Sequence, residues 1–153
     1  MAKYKIVVSD LHLGRGRVLG DGSINILEDF LADREFREFL EFYSSGKFYD
    51  AEVELILNGD ILNLLQVDYR GYYSPILTEG ISLEKVKSVV KGHHHFFSAL
   101  KNFAALAGKK ITYVIGNHDV DMIWDSCKEV FSEAAGAPVQ FKNFTYTVDG
   151  IHF

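Results

Sequence analysis

Cysteine is nearly missing: Cys127 is the single one among 153 residues. It cannot form an internal disulfide, so a reducing compartment, the cytoplasm, is the simplest expectation. Cys127 itself reads as a small buried hydrophobe, the usual role of a free thiol. No apolar run reaches transmembrane length. The opening MAKYKIVVSD has no hydrophobic stretch ahead of a cleavage site and reads as a strand. Excess positive charge is also lacking. The net charge of −5 argues against a broad nucleic-acid surface, because duplex binding needs a basic face. It does not exclude a small phosphorylated substrate, whose charge divalent cations would neutralise locally. Repeats, low-complexity tracts and a second-domain linker are absent as well, so one domain is expected.

Hydrophobic residues make up 48% and charged residues 24%, as in an ordinary globular chain. Lys5-Ile6-Val7-Val8, Val53-Glu54-Leu55-Ile56-Leu57 and Ile111 to Ile115 read as strands. Apolar residues recur at helical spacing from Ile24 to Tyr43. Gly71, Pro75 and Gly80 mark residues 64 to 80 as a long loop. Ser82 is a candidate cap for a helix running to Ala107 and closed by Gly108. A further helix is expected from about Asp121 to Ala134, stopping near Gly136. Strands alternating with helices argue for an α/β fold with parallel strands. Their nearly continuous apolar character fits strands covered on both faces. Val139 to Phe141 and Phe144 to Val148 read as strands. Asp149-Gly150 is a hairpin turn signal leading into Ile151-His152-Phe153, a change of architecture in the last 15 residues.

All three α/β strands end in polar residues: Asp10-x-His12, Gly59-Asp60 and Gly116-Asn117-His118-Asp119. Ligands bind outside the carboxyl ends of strands in parallel sheets, so these residues are expected to converge. Carboxylate, imidazole and amide oxygen together suit Mn²⁺, Fe²⁺, Zn²⁺ or a similar ion. A carboxylate can bridge two ions about 3.5–4 Å apart, and Asp60 on the middle motif is the natural bridge. Asp119 has a second reading as the N-cap of the following helix. Asn63, three residues beyond Asp60, and Arg15 and Arg17, just past the first motif, are expected to be solvated loop positions, though each lies where a phosphate would be met.

SDLHLG, NGD and GNHD, in that order over about the first 120 residues, resemble the first three blocks of the calcineurin-like metallophosphoesterases. The resemblance implies a two-sheet sandwich flanked by helices, two divalent ions (Mn, Fe, Zn or Ni), and hydrolysis of a phosphomonoester, phosphodiester or pyrophosphate by a metal-bound hydroxide. It implies Asp10 and His12 as ligands of the first ion, Asp60 as the bridge and Asn117 as a ligand of the second. His118 then faces the phosphate as an acid or transition-state stabiliser, and Asp119 orients or polarises it. The block spacing and the GHHHFFSAL segment are similar to the branch containing UDP-2,3-diacylglucosamine hydrolases, which cleaves a pyrophosphate bond. That likeness implies a small phosphorylated substrate, one that can be nucleotide-linked. Tyr69, Tyr72 and Tyr73 on the 64–80 loop read either as part of a lid over a nucleotide or lipid or, equally, as ordinary surface.

The family's later blocks, a lone His and a Gly-His-x-His, have no counterpart by Phe153, and His152 is expected to be a plain strand residue. Gly92-His93-His94-His95 matches Gly-His-x-His literally. It lies in an expected helix, where residues two apart point about 200° away from each other. His93 and His95 therefore do not chelate one ion and are expected to flank Phe96 and Phe97 on the helix surface. The first ion keeps three ligands and the second only two, so weak occupancy is expected. The second sheet is expected to be short, exposing Phe144, Tyr146 and Phe153 and favouring self-association. The alternative to an enzyme is a non-catalytic fragment acting as a binding or assembly module.

Overall fold

A computed structural model describes residues 2–153. The chain is α/β. Four strands, β1 (Lys3–Val8), β2 (Glu52–Asn58), β3 (Lys109–Ile115) and β4 (Gln140–Asn143), form one sheet in the order β1-β2-β3-β4. Every pairing in it is parallel, with Ile6 opposite Leu55, Leu55 opposite Ile111 and Tyr113 opposite Phe141. The helices α1 (Asp33–Phe42), α2 (Glu79–Gly92), α3 (His94–Ala104) and α4 (Asp125–Ala135) fill the crossovers. No helix among the described residues is long and apolar enough to cross a membrane.

The sheet's two faces carry different chemistry. Val53, Leu55 and Leu57 of β2 and Ile111, Tyr113 and Ile115 of β3 join Leu40, Val86, Val89, Phe96, Leu100, Phe103 and Phe131 of the helices in one core. The alternate residues Glu54, Ile56, Thr112 and Val114 are also buried, on the other face. There the hairpin of β5 (Thr147–Val148) and β6 (Ile151–His152) is tied down. The Tyr146 hydroxyl donates to Glu54 Oε1 at 2.9 Å, Thr112 Oγ1 donates to the same oxygen at 2.6 Å, and Lys5 Nζ lies 2.7 Å from Glu54 Oε2. Burial would raise the Glu54 carboxyl, but Lys5, Thr112 and Tyr146 outweigh it and hold the pKa below its usual value. The near-continuous apolar strands β2 and β3 are thus covered on both faces, as their composition predicts, whereas β1, at the sheet's edge, leaves Val7 exposed.

Several boundaries differ from the sequence expectation. The helix expected from Ile24 begins only at Asp33. Side chains before it compete for the backbone: Asn25 Oδ1 accepts from Leu27 N, and the buried Glu28 accepts from Gly14, Gly16 and Phe30, the kind of local bonding that displaces a helix. The single helix expected from Ser82 to Ala107 is two helices broken at His93. Its cap is Thr78, whose hydroxyl accepts from Ile81 N at 3.4 Å, while Ser82 is buried inside α2. The 64–80 loop is correspondingly shorter and contains a 3-10 turn, Leu64–Gln66. The helix expected from Asp121 is a 3-10 turn, Val120–Ile123, followed by α4, which ends on left-handed Gly136.

At the chain's end, β4 joins the parallel sheet rather than the second one. The strand expected from Phe144 is interrupted because Phe144 itself takes a positive φ of 60°, which breaks extended backbone. The Asp149-Gly150 turn has both residues at positive φ, the geometry of a type I′ hairpin. His152 is a strand residue whose Nδ1 lies 2.8 Å from Thr147 Oγ1. Phe144 is exposed, but Tyr146 and Phe153 are half-buried and stacked on each other with ring centres 6.2 Å apart. Cys127 is buried, and that burial, with the Asp121 charge, pushes its pKa up to about 11. It is an inert thiol.

Candidate metal centre

The strand ends continue pairing after the strands stop. Asp10 N donates to Gly59 O at 3.2 Å, His12 N to Asp60 O at 3.0 Å and Leu13 N to Ile61 O at 2.8 Å. The loops after β1 and β2 therefore run side by side, which brings the first motif onto the second. Leu13 and Leu62, both fully buried, anchor the pair beneath. One donor atom from each of Asp10, His12 and Asp60 lies within 4.8 Å of the other two. This is the group of acid, imidazole and thiol side chains close enough to share an ion among the described residues.

The backbone at this cluster is strained in one consistent way. Asp10, His12 and Asp60 have φ of 54°, 55° and 52°. Left-handed backbone costs a side-chain-bearing residue on the order of 1 kcal/mol or more, and three such residues at one place are held there by their surroundings. Part of that hold is glycine. A Cβ on Gly116 would lie 2.3 Å from Asp60 Oδ1 and 2.5 Å from Asp60 N. The third motif can lie against the second only because Gly116 has no side chain.

His118 joins the cluster from β3's end. Its backbone N donates to Asp60 Oδ1 at 3.0 Å, leaving Asp60 Oδ2 for other partners. Its ring stands edge-on to that of His12, with centres 4.6 Å apart. Nδ1 of His118 lies 3.1 Å from Asn63 Oδ1. The Asn63 amide nitrogen in turn donates to Asp29 Oδ2 at 3.2 Å. A carboxylate only accepts, so Asp29 assigns which end of the amide is oxygen. Asn63 must then accept from Nδ1–H, which leaves Nε2 of His118 as the nitrogen this pair does not use. Asn63 is 2% exposed, so the expectation of a solvated loop position is corrected: its amide is consumed orienting His118.

Asp119 does something else. It is fully buried, and its Oδ2 accepts from the Tyr113 hydroxyl at 2.5 Å, from Ile61 N at 2.9 Å and from Leu62 N at 3.4 Å. Its Oδ1 accepts from Gly116 N at 2.6 Å. None of these partners is the His118 ring, so the expected Asp119–His118 pairing gives way to Asn63–His118. The helix-cap reading is not met either, since the Asp119 side chain makes no cap bond. Asp119 instead ties β3 to the loops on both sides of the centre. Burial raises its pKa despite these donors, and the Tyr113 phenol, also buried and facing Asp119, is pushed well above its ordinary value.

Asn117 lies exposed on the same turn, between Gly116 and His118. Arg15 is half-buried and paired with Asp68, not solvated as expected, whereas Arg17 is exposed. His93 is not on a helix surface beside its neighbours: it is buried between Glu28 and Asp33. His94 and His95 are exposed. The tyrosines of the expected lid form a small turn, with Tyr69 pairing Tyr72 and their rings edge-to-face at 5.8 Å.

Asp29 and Glu28 escaped the sequence reading, although both lie in the acidic pair of LEDF. Their partners, Asn63 and His93, are distant in sequence, and no spacing signals them. No protein-family model matches the chain, and no curated protein matches it.

Proposed function

We propose that this chain holds a divalent cation on Asp10, His12 and Asp60 and hydrolyses phosphoesters there, as a calcineurin-like metallophosphoesterase. The observation that carries the reading is the convergence of these three donors within 4.8 Å, beside an imidazole whose outer nitrogen is free. Two carboxylates and an imidazole suit Mn²⁺, Fe²⁺ or Zn²⁺, so the donor set fits the ion. The parallel sheet, its layer of helices and the hairpin tied to the opposite face are compatible with the two-sheet sandwich of that family.

An ion held there would polarise a phosphoryl oxygen and acidify water. The chain's own groups do the rest. Asp60 is fixed by the His118 amide on one oxygen, and its other oxygen would be the one to hold the ion. Asn63, accepting from Nδ1–H, orients the His118 ring so that Nε2 faces the leaving oxygen. The ring donates an Nε2 proton there only as the imidazolium, with both nitrogens protonated, and returns to the Nδ1–H form. The substrate such a site would take is a small phosphorylated molecule, which can be nucleotide-linked. Asn117 and Asp60 are the donors toward a second ion. Two donors are fewer than such ions take, which favours a second reading, a metal-holding module without turnover.

The deciding experiment is hydrolysis of bis-p-nitrophenyl phosphate with added Mn²⁺. Turnover that disappears in Asp60→Ala and in His118→Ala is expected. Turnover that persists in both variants overturns the reading. Mn²⁺ binding without turnover by the wild type selects the module.

A further inference from the structure

The His93-His94-His95 run has no part in the candidate centre, yet His93 is 2% exposed at the break between α2 and α3. Its ring meets an acid at each nitrogen. Nδ1 lies 3.1 Å from Asp33 Oδ2, and Nε2 lies 3.1 Å from Glu28 Oε1, an ion-pair distance whose alignment falls short of a hydrogen bond. Burial favours the neutral ring, but the two carboxylates outweigh it and push the pKa up to about 9. His93 is therefore an imidazolium at neutral pH.

Glu28 connects that cation to the first motif. Its Oε1 accepts from Gly14 N at 2.9 Å, and its Oε2 accepts from Gly16 N at 2.5 Å. Gly14 is two residues past His12. Burial raises the Glu28 carboxyl, but His93 and the Gly14 and Gly16 amides outweigh it and keep the pKa below its usual value. The contact is tight on both sides of the loop. A Cβ on Gly14 would lie 2.8 Å from Glu28 Oε2, and one on Gly92, just before His93, would lie 2.1 Å from Arg15 O. The loop after the first motif is thus pressed between Glu28 and the break in the helix. Removing the imidazolium leaves a buried carboxylate without its counter-charge, a state the fold would relieve by moving that loop.

We propose that Glu28 and His93 are positioning residues of the candidate centre: their ion pair fixes the Gly14–Gly16 turn and, through it, the left-handed His12 that presents an imidazole to the cation. The inference rests on reading Asp10, His12 and Asp60 as a metal centre. It also explains why a Gly-His-x-His look-alike sits far from the other motifs. Its first histidine acts on the centre from behind, without touching the ion.

The test compares wild-type chain with His93→Gln, with the double variant Glu28→Gln/His93→Gln, and with His94→Gln and His95→Gln. Mn²⁺ affinity is read by calorimetry at a temperature where circular dichroism shows each variant folded. The exchange rates of the Gly14 and Gly16 amides are read by NMR without metal. The double variant leaves no uncompensated charge on this pair and keeps the fold. Its glutamine, though, offers one acceptor oxygen where the turn uses two. Tenfold or greater weakening of Mn²⁺ binding is expected in His93→Gln and in the double variant, with faster Gly14 and Gly16 exchange. The His94 and His95 variants are expected to match wild type. Wild-type affinity in folded His93→Gln and in the double variant overturns the positioning role. A wild type that binds no Mn²⁺ while its Gly14 and Gly16 amides respond to His93→Gln overturns the metal reading, and the positioning role with it. Unchanged exchange and unchanged affinity overturn the brace alone.

Discussion

Nδ1 of His118 faces the amide oxygen of Asn63 at 3.1 Å, while Asp119, the next residue in the chain, gives its carboxylate to Tyr113 and three backbone amides. Position in a motif and position in space therefore assign different partners. The first prediction separates them. Asn63→Ala leaves the His118 ring without its acceptor, so it loses both tautomer and orientation. On the proposed hydrolytic reading, in which His118 acts as general acid, a roughly 10- to 100-fold fall in kcat with little change in KM is expected. Asp29→Asn, which only loosens the amide's assignment, should fall less. Steady-state kinetics on an aryl phosphodiester check both. A rise in KM with kcat unchanged would place Asn63 in substrate binding instead.

Asp119 should behave as a structural residue. Asp119→Ala strips the Tyr113 hydroxyl and the Gly116, Ile61 and Leu62 amides of their acceptor. Leaving buried donors unpaired costs about 1–3 kcal/mol each where water cannot enter. A loss of about 3 kcal/mol or more in urea unfolding is expected. Tyr113→Phe removes a single donor and should cost about 1 kcal/mol. Retention of wild-type stability by Asp119→Ala would contradict this role.

The metal count follows from the donors. Asp10, His12 and Asp60 are grouped closely enough to hold one cation, and on the proposed reading Asp60 with Asn117 are the two donors left for a second. Calorimetric titration should show about one Mn²⁺ per chain, bound weakly, and Asp60→Asn should abolish the binding because Asp60 serves both positions. Asn117→Ala should leave the first ion almost unaffected. Two tight ions per chain would mean that donors beyond these take part.

The sheet-edge convergence was legible because parallel strands deliver their carboxyl ends to one side. Asp10, His12, Asp60 and His118 needed only the strand assignment of Lys5–Val8, Val53–Leu57 and Ile111–Ile115 to be placed together. The break in the α2–α3 segment was not legible. Its cause is Gly92 pressed on Arg15 and His93 drawn toward Glu28 and Asp33, contacts between residues 60 or more apart in sequence that no helical period reports. The same holds for Asn63: its spacing from Asp60 was visible, but its burial depends on Leu13 O accepting its backbone amide and on Asp29 reaching its side chain. Residues 24–32 misled because their apolar spacing is helical while Asn25 and Glu28 spend their side chains on the backbone. Ile24, Ile26, Leu27 and Leu31 are exposed there and Phe30 alone of the large apolar side chains reaches the core, so the periodicity reported no continuous buried face.

The His93 cluster gives the chain a pH-dependent stability with a definite sign. His93 has an ordinary value of 6.5 and is raised to about 9 in the fold, chiefly against burial by Asp33 and Glu28. The stability it contributes is complete below about 6.5 and is lost as pH rises through about 9. Glu28 and Asp33 are lowered below their ordinary values of 4.5 and 3.8, with His95 adding charge near Asp33. Their contribution is present above those values and is lost as pH falls beneath them. The cluster is thus most stabilising at about pH 5–6, where both acids and the imidazole are charged. A shift of the His93 size corresponds to on the order of 3 kcal/mol. Urea unfolding of the wild-type chain between pH 6 and pH 10 should show stability falling across that range. His93→Gln should be less stable at pH 6 and nearly flat up to about pH 8.5, because it has no His93 proton to lose there; above that the buried Cys127 and Tyr113, both raised in the fold, lower the stability of both chains alike. A wild-type curve as flat as that of His93→Gln would mean that the ring is not protonated in the fold, and Glu28 would then need another counter-charge at the Gly14–Gly16 turn.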